Sequence, residues 1–194
     1  MHVNKLRNKN NKIIEGPLEI IPQLFTDDRG YFYETWNARD FGTYVNRDVT
    51  FVQDNQSLSK KGTLRGLHYQ LNPMAQGKLV RVSQGMVLDV IVDLRQNSET
   101  FSSWTSLTLN CKEKNLVWIP KGFAHGFLTL TEEAIVDYKV TNFWNKALDR
   151  TIIWNDSSIS IEWPLETSLI KPNLSLKDKN GLTLNSLYEM GELF

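Results

Sequence analysis

Residues 79–94 read Leu79-Val80-Arg81-Val82-Ser83-Gln84-Gly85-Met86-Val87-Leu88-Asp89-Val90-Ile91-Val92-Asp93-Leu94. Branched apolar residues fill 79–83 and 86–94, and Gln84-Gly85 between them is a tight-turn signal, so the stretch predicts two strands joined as a hairpin. The same short, β-prone texture extends in both directions. Upstream it covers the aromatic-rich run at 31–36 and the short run at 50–53. Downstream it covers 104–109, 116–119, 126–130, 134–143 and 151–154. Helical periodicity is weak and predicts only short turns at 38–44 and near the C-terminus. Many short strands separated by Gly, Asn, Asp and Ser turns predict a single all-β domain, built as a sandwich, jelly roll or barrel. No internal repeat or low-complexity linker is visible, and Pro164 to Pro172 reads as irregular chain.

Composition narrows the function classes. The chain has 194 residues, with 41% hydrophobic and 23% charged side chains, which is enough apolar material for one packed core. Twenty-two Lys+Arg balance 22 Asp+Glu, so the protein lacks the basic excess of a general nucleic-acid binder. No apolar run approaches the ~20 residues that span a bilayer, so no membrane partner is expected. The Asn- and Lys-rich residues 1–12 lack the apolar core of a secretory signal and read as a frayed tail, leaving 13–194 as the domain. The single cysteine, Cys111, excludes an intramolecular disulfide and fits a reducing cytoplasm.

Two of the three histidines sit among glycine, apolar and aromatic residues: His68 in Arg65-Gly66-Leu67-His68-Tyr69-Gln70, and His125 in Lys121-Gly122-Phe123-Ala124-His125-Gly126-Phe127. An imidazole in such a partly dry setting is the natural proton carrier near neutral pH. Strand alternation places other polar groups on apolar faces. Tyr138 shares a face with Val136, Val140 and Asn142. Asp89 and Asp93 share one with Val87 and Ile91, and Lys78 is in phase with Val80 and Val82. For each, a catalytic use competes with a bland one: a tethered core tyrosine, a loop-capping aspartate, a solvated lysine. Simple alternation puts Arg65 and His68 on opposite faces, and they share a cavity only if the strand bulges, most cheaply at Gly66. Metal binding is not expected, because a first-row metal site usually needs three or four ligands, His2 lies in the tail, and His68 and His125 are far apart in sequence with no neighbouring H-x-H pair.

Arg65-Gly66-Leu67-His68-Tyr69-Gln70, Gln76-Gly77-Lys78-Leu79-Val80-Arg81 and Ile119-Pro120-Lys121-Gly122-Phe123-Ala124-His125-Gly126-Phe127 closely resemble the dTDP-4-dehydrorhamnose 3,5-epimerases. The resemblance extends to Asp28-Arg29-Gly30-Tyr31-Phe32, Val52-Gln53-Asp54-Asn55, Trp154-Asn155-Asp156 and Leu176-Lys177-Asp178, and spans roughly residues 17–185. It implies a cupin-like jelly-roll barrel with short terminal helical turns, a homodimer, no cofactor and no metal. It also implies a nucleotide-linked 4-keto-6-deoxy sugar as substrate, whose C3 and C5 hydrogens are both α to the ketone.

By position, the resemblance makes His68 the general base and Asp178 its paired carboxylate. Tyr138 is the acid on the opposite face, and Lys78 the cation beside the developing O4 oxyanion. Arg29, Glu34, Gln53, Asn55, Arg65, His125, Asp89 and Trp144 match substrate-binding positions. Phe143-Trp144 replaces the usual pair of tyrosines, Gln56 stands where a histidine is common, and Met86 where an acidic residue is common. A few extra residues precede Leu176. A single-centre epimerase, a 3,4-ketoisomerase and a non-catalytic sugar-nucleotide module remain as alternatives.

Overall fold

The computed structural model describes residues 1–45, 49–165 and 171–194. Thirteen strands and three short helices are described, and most strands belong to two antiparallel sheets stacked face to face. The six-stranded sheet has the order β1 (His2–Arg7), β2 (Ile13–Ile21), β10 (Leu116–Ile119), β7 (Lys78–Gln84), β12 (Glu133–Val140) and β5 (Gln53–Lys60). The five-stranded sheet has the order β13 (Asp149–Thr151), β6 (Leu64–Gln70), β11 (Phe123–Thr129), β8 (Met86–Asp93) and β9 (Trp104–Asn110). From β5 to β13 the chain repeatedly crosses between the two sheets, which is the jelly-roll pattern. Among the described residues the sheets remain separate, with no ladder closing them into one barrel.

Alternation along the strands explains the layers. Val80 and Val82 of β7, Val87 and Ile91 of β8, Phe127 of β11 and Val136 of β12 meet between the sheets as the main core. Each fully buried branched side chain contributes ~1.5–3 kcal/mol relative to exposure. The opposite face of β8, with Val90 and Val92, is covered by the C-terminal segment through Ile159, Leu184, Leu187 and Leu193. The outer face of the six-stranded sheet is covered by α1 (Ala38–Val45), whose Phe41 packs edge-on against Trp118 at 5.2 Å.

Several expectations are corrected. Residues 1–12 are not simply a frayed tail, because His2–Arg7 pairs antiparallel with β2 and buries Leu6. Neither strand advertised itself: β1 is polar, and β2 carries Gly16-Pro17, where the β1–β2 register shifts and the missing proline N–H costs no ladder bond. The aromatic run at 31–36 supplies only β4 (Gly30–Phe32), which pairs with β3 (Phe25–Asp27) in an exposed hairpin. The short run at 50–53 is mostly the approach to β5. That strand reads Gln-Asp-Asn-Gln-Ser-Leu-Ser-Lys and forms because eight successive residues pair with β12, tertiary pairing overriding weak local propensity. The irregular stretch from Pro164 to Pro172 falls partly outside the described residues, at 166–170. The expected terminal turns are α2 (Leu176–Lys179) and α3 (Leu184–Glu189), each N-capped by a hydroxyl. Among the described residues, no helix is long and apolar enough to cross a membrane.

Candidate active site

Between the sheets lies a cavity of about 570 Å³. His68 and His125 reach it from the five-stranded sheet, where they are direct cross-strand partners. Lys78 and Tyr138 reach it from the six-stranded sheet. The inner face of β7 and β12 is apolar at Val80, Val82 and Val136 and becomes polar only where it meets the cavity.

Arg65 also lines the cavity, and the reason is a bulge at Gly66, which settles the open question of its face. On β11 one residue separates His125 from Phe127, whereas on β6 two separate His68 from Arg65. The extra residue turns Arg65 to the same side as His68, where its Nε donates to Ser59 Oγ at 3.0 Å. Glycine is needed at 66: φ is +122°, and a Cβ would stand 2.5 Å from Gly126 Cα.

His68 Nε2 lies 2.7 Å from Asp178 Oδ1. The same oxygen accepts the Gly66 N–H at 3.1 Å, and Oδ2 accepts the Ser175 hydroxyl at 2.6 Å. Burial alone would raise the Asp178 pKa, but these donors outweigh it and hold the carboxyl below its ordinary value. With the carboxylate ionised and occupying Nε2–H, the neutral imidazole keeps its free lone pair on Nδ1. Burial lowers the pKa of His68; Asp178 opposes this, and the Lys177 and Lys78 charges add to it. Burial thus favours the neutral ring.

Lys78 Nζ donates to the His68 carbonyl at 3.3 Å. Burial lowers its pKa to about 8, against the opposing charges of Asp149 and Asp89. It is still mostly cationic at neutral pH. Burial raises the pKa of Tyr138, so its phenol holds its proton. His125 is tied through Nε2 to Oδ2 of the fully buried Asp89 at 2.8 Å, forming a second histidine–carboxylate pair behind the first. Among the described residues, no group of three or more His, Cys, Asp or Glu side chains converges as a metal ligand set.

The remaining expected residues are more dispersed. Gln53 and Asn55 sit on β5 with Gln53 Nε2 donating to Asn55 Oδ1 at 2.8 Å, and Asn55 pairs in register with Tyr138. Trp144 is exposed beside them; its backbone N–H donates to Gln53 Oε1 and its indole N–H to Asp149, both at 3.1 Å. Arg29 and Glu34 do not line the cavity of their own chain. Arg29 sits in the β3–β4 turn, paired with Asp27, and Glu34 accepts a bond from Asn37 in the exposed chain that follows. Sequence reasoning overlooked Ser57, Asn173, Ser175 and Lys177, all of which line the cavity. Only Ser175 had a readable signal: Ser175-Leu176-Lys177-Asp178 is a helix-capping pattern that ends on the very carboxylate that His68 uses.

An imidazole on one wall, with a protonated phenol and a buried ammonium on the facing one, suits removal and return of a carbon-bound proton beside a carbonyl. Comparison with known proteins points the same way. A protein of Shigella flexneri named dTDP-4-dehydrorhamnose 3,5-epimerase is 52% identical over 160 residues, covering 82% of this chain and 86% of its own length. The protein of that name from Escherichia coli K12 is 47% identical over 177 residues, covering 91% and 94%. The crystal structure of a dTDP-6-deoxy-D-glucose-3,5-epimerase from Legionella pneumophila, in complex with dTDP-4-keto-L-rhamnose, superposes with a TM-score of 0.88 at 40% identity, covering 99% of this chain and 97% of that one. Residues 11–186 match the family description as a whole, and with identity near one half along most of both chains, the protein belongs to the dTDP-4-dehydrorhamnose 3,5-epimerase family.

Proposed function

We propose that the protein inverts C3 and C5 of dTDP-4-dehydro-6-deoxy-D-glucose, giving dTDP-4-dehydro-L-rhamnose. The observation that carries this reading is that His68 and Tyr138 face one cavity from opposite sheets, with Lys78 also lining it. His68 takes the hydrogen from the carbon α to the C4 ketone. The electron pair moves onto O4, giving an enolate whose charge Lys78 offsets. Tyr138 then returns a proton from the other face, which inverts the centre. The same ketone activates C3 and C5, so one set of groups serves both steps. Arg65 offers a guanidinium to the diphosphate. Gln53, Asn55 and Trp144 lie together at the surface, where the nucleotide end would rest.

The test is incubation with dTDP-4-keto-6-deoxyglucose in D₂O, followed by NMR. Deuterium at both C3 and C5 with inverted configuration is the expected result. Label at one carbon only would establish a single-centre epimerase instead, and a migrated carbonyl would establish a ketoisomerase. In the same assay Tyr138→Phe should uncouple two readouts. Deuterium exchange persists, because His68 still removes and returns hydrogen on its own face, while net inversion falls by ~10²-fold or more. A parallel loss of both would remove Tyr138 from the acid role.

The working unit is proposed to be a homodimer. The β3–β4 hairpin exposes Phe25, Tyr31 and Phe32 at 55%, 56% and 67%, and such protruding apolar surface suits burial against a partner. Docked on a second copy, it would carry Arg29 towards that copy's cavity. Sedimentation equilibrium should give twice the 22.4 kDa chain mass; a fully active monomer would refute this.

A further inference from the structure

We propose that Ser175 is a positioning residue of the reaction, its hydroxyl holding the Asp178 carboxylate in the orientation that presents Oδ1 to His68 and keeping that carboxylate anionic. The inference rests on the epimerase reading. Its basis is a reciprocal pair of bonds at the start of α2. Ser175 Oγ accepts the Asp178 backbone N–H at 3.1 Å and donates its own hydrogen to Asp178 Oδ2 at 2.6 Å. Capping the helix requires only the first bond. The second fixes the carboxylate's rotation, and among the described residues Ser175 is the one donor recorded for Oδ2. Oδ1 is then left to the imidazole and to the Gly66 N–H, at 2.7 and 3.1 Å.

The Asp178 side chain is only 4% exposed, so water cannot freely replace a missing donor. Without the hydroxyl, Oδ2 becomes a poorly solvated oxygen on an ionised group. The carboxylate is then free to turn, and it binds a proton more readily. Either change disturbs the imidazole that depends on it, although Ser175 itself takes no part in the proton transfers.

The experiment separates capping from donation. Ser175→Ala removes both, Ser175→Asp keeps a good cap but cannot donate at neutral pH, and Ser175→Thr keeps both. Deuterium uptake at C3 and C5, kcat, KM and the acid limb of the pH–kcat profile are measured, with thermal melting as a check on folding. Both Ser175→Ala and Ser175→Asp should lower kcat by roughly tenfold to a hundredfold with KM little changed. In Ser175→Ala the acid limb should also move to higher pH, and Ser175→Thr should restore rate and profile. A wild-type rate in Ser175→Asp, or an unmoved acid limb in a folded Ser175→Ala, overturns the role. If the wild-type protein takes up no deuterium at either carbon, the epimerase reading itself fails, and the role of Ser175 falls with it.

Discussion

His68→Ala abolishes deuterium uptake at both C3 and C5 while dTDP-sugar binding stays near normal. A positioned general base contributes ~10²–10⁴-fold, and here one imidazole serves two carbons, so both exchange rates should fall together by at least that factor. Binding survives because the diphosphate and nucleotide ends engage other groups, Arg65 among them. The alanine also leaves Asp178 without its imidazole, but Ser175 and the Gly66 N–H still satisfy that carboxylate, so the fold should tolerate the change. Exchange by NMR and affinity by calorimetry check the two halves of this expectation. Substantial residual exchange at either carbon would mean that another group removes that hydrogen.

Lys78→Met should lower kcat by ~10²–10³-fold, the loss typical for one oxyanion donor, equivalent to ~2.7–4 kcal/mol. The isosteric apolar side chain fills the same space, so the loss reports charge rather than packing. The pH dependence gives a sharper test. His68 must be neutral to act, so activity is present above its pKa and is lost as pH falls through it; because burial lowers that pKa, the loss comes on the acid side of an ordinary histidine. Lys78 must be protonated, so activity is present below its pKa of about 8 and is lost as pH rises through it. The wild-type profile should therefore be bell-shaped, with an alkaline limb near pH 8. Lys78→Arg keeps its charge at any pH the protein survives, so whatever rate it retains should lack that limb. An alkaline limb that stays in place would assign it to another group.

Local pattern carried much of the architecture. The runs around Val80, Ile91 and Val117 become strands because branched side chains suit a pleated surface buried on one or both faces. The expected faces of β7, β8 and β12 hold, with Val82, Ile91 and Val136 in the core and Lys78, Asp89 and Tyr138 on the same side. The bulge at Gly66 was legible only as a condition, the cheapest place for a bulge if Arg65 and His68 were to share a face; the folded chain shows that it occurs. What stayed hidden left no clear local pattern. The polar β5 draws its strand character from β12, and no local window contains a neighbour about 80 residues away; β1 and β2 pair locally, but a polar strand and a Gly16-Pro17 step masked them. Arg29 and Glu34 match family positions, yet lie on exposed chain outside this cavity.

From its residues alone, the chain determined which faces are apolar and which polar side chains share them, since those follow from side-chain volume, polarity and a period of two. Family resemblance named Asp178 as the partner of His68, but only the folded chain brings the two, 110 positions apart, within hydrogen-bond reach and sets the Ser175 hydroxyl against the same carboxylate. Such contacts depend on how two sheets and a short C-terminal helix pack, and long-range packing has no local signature.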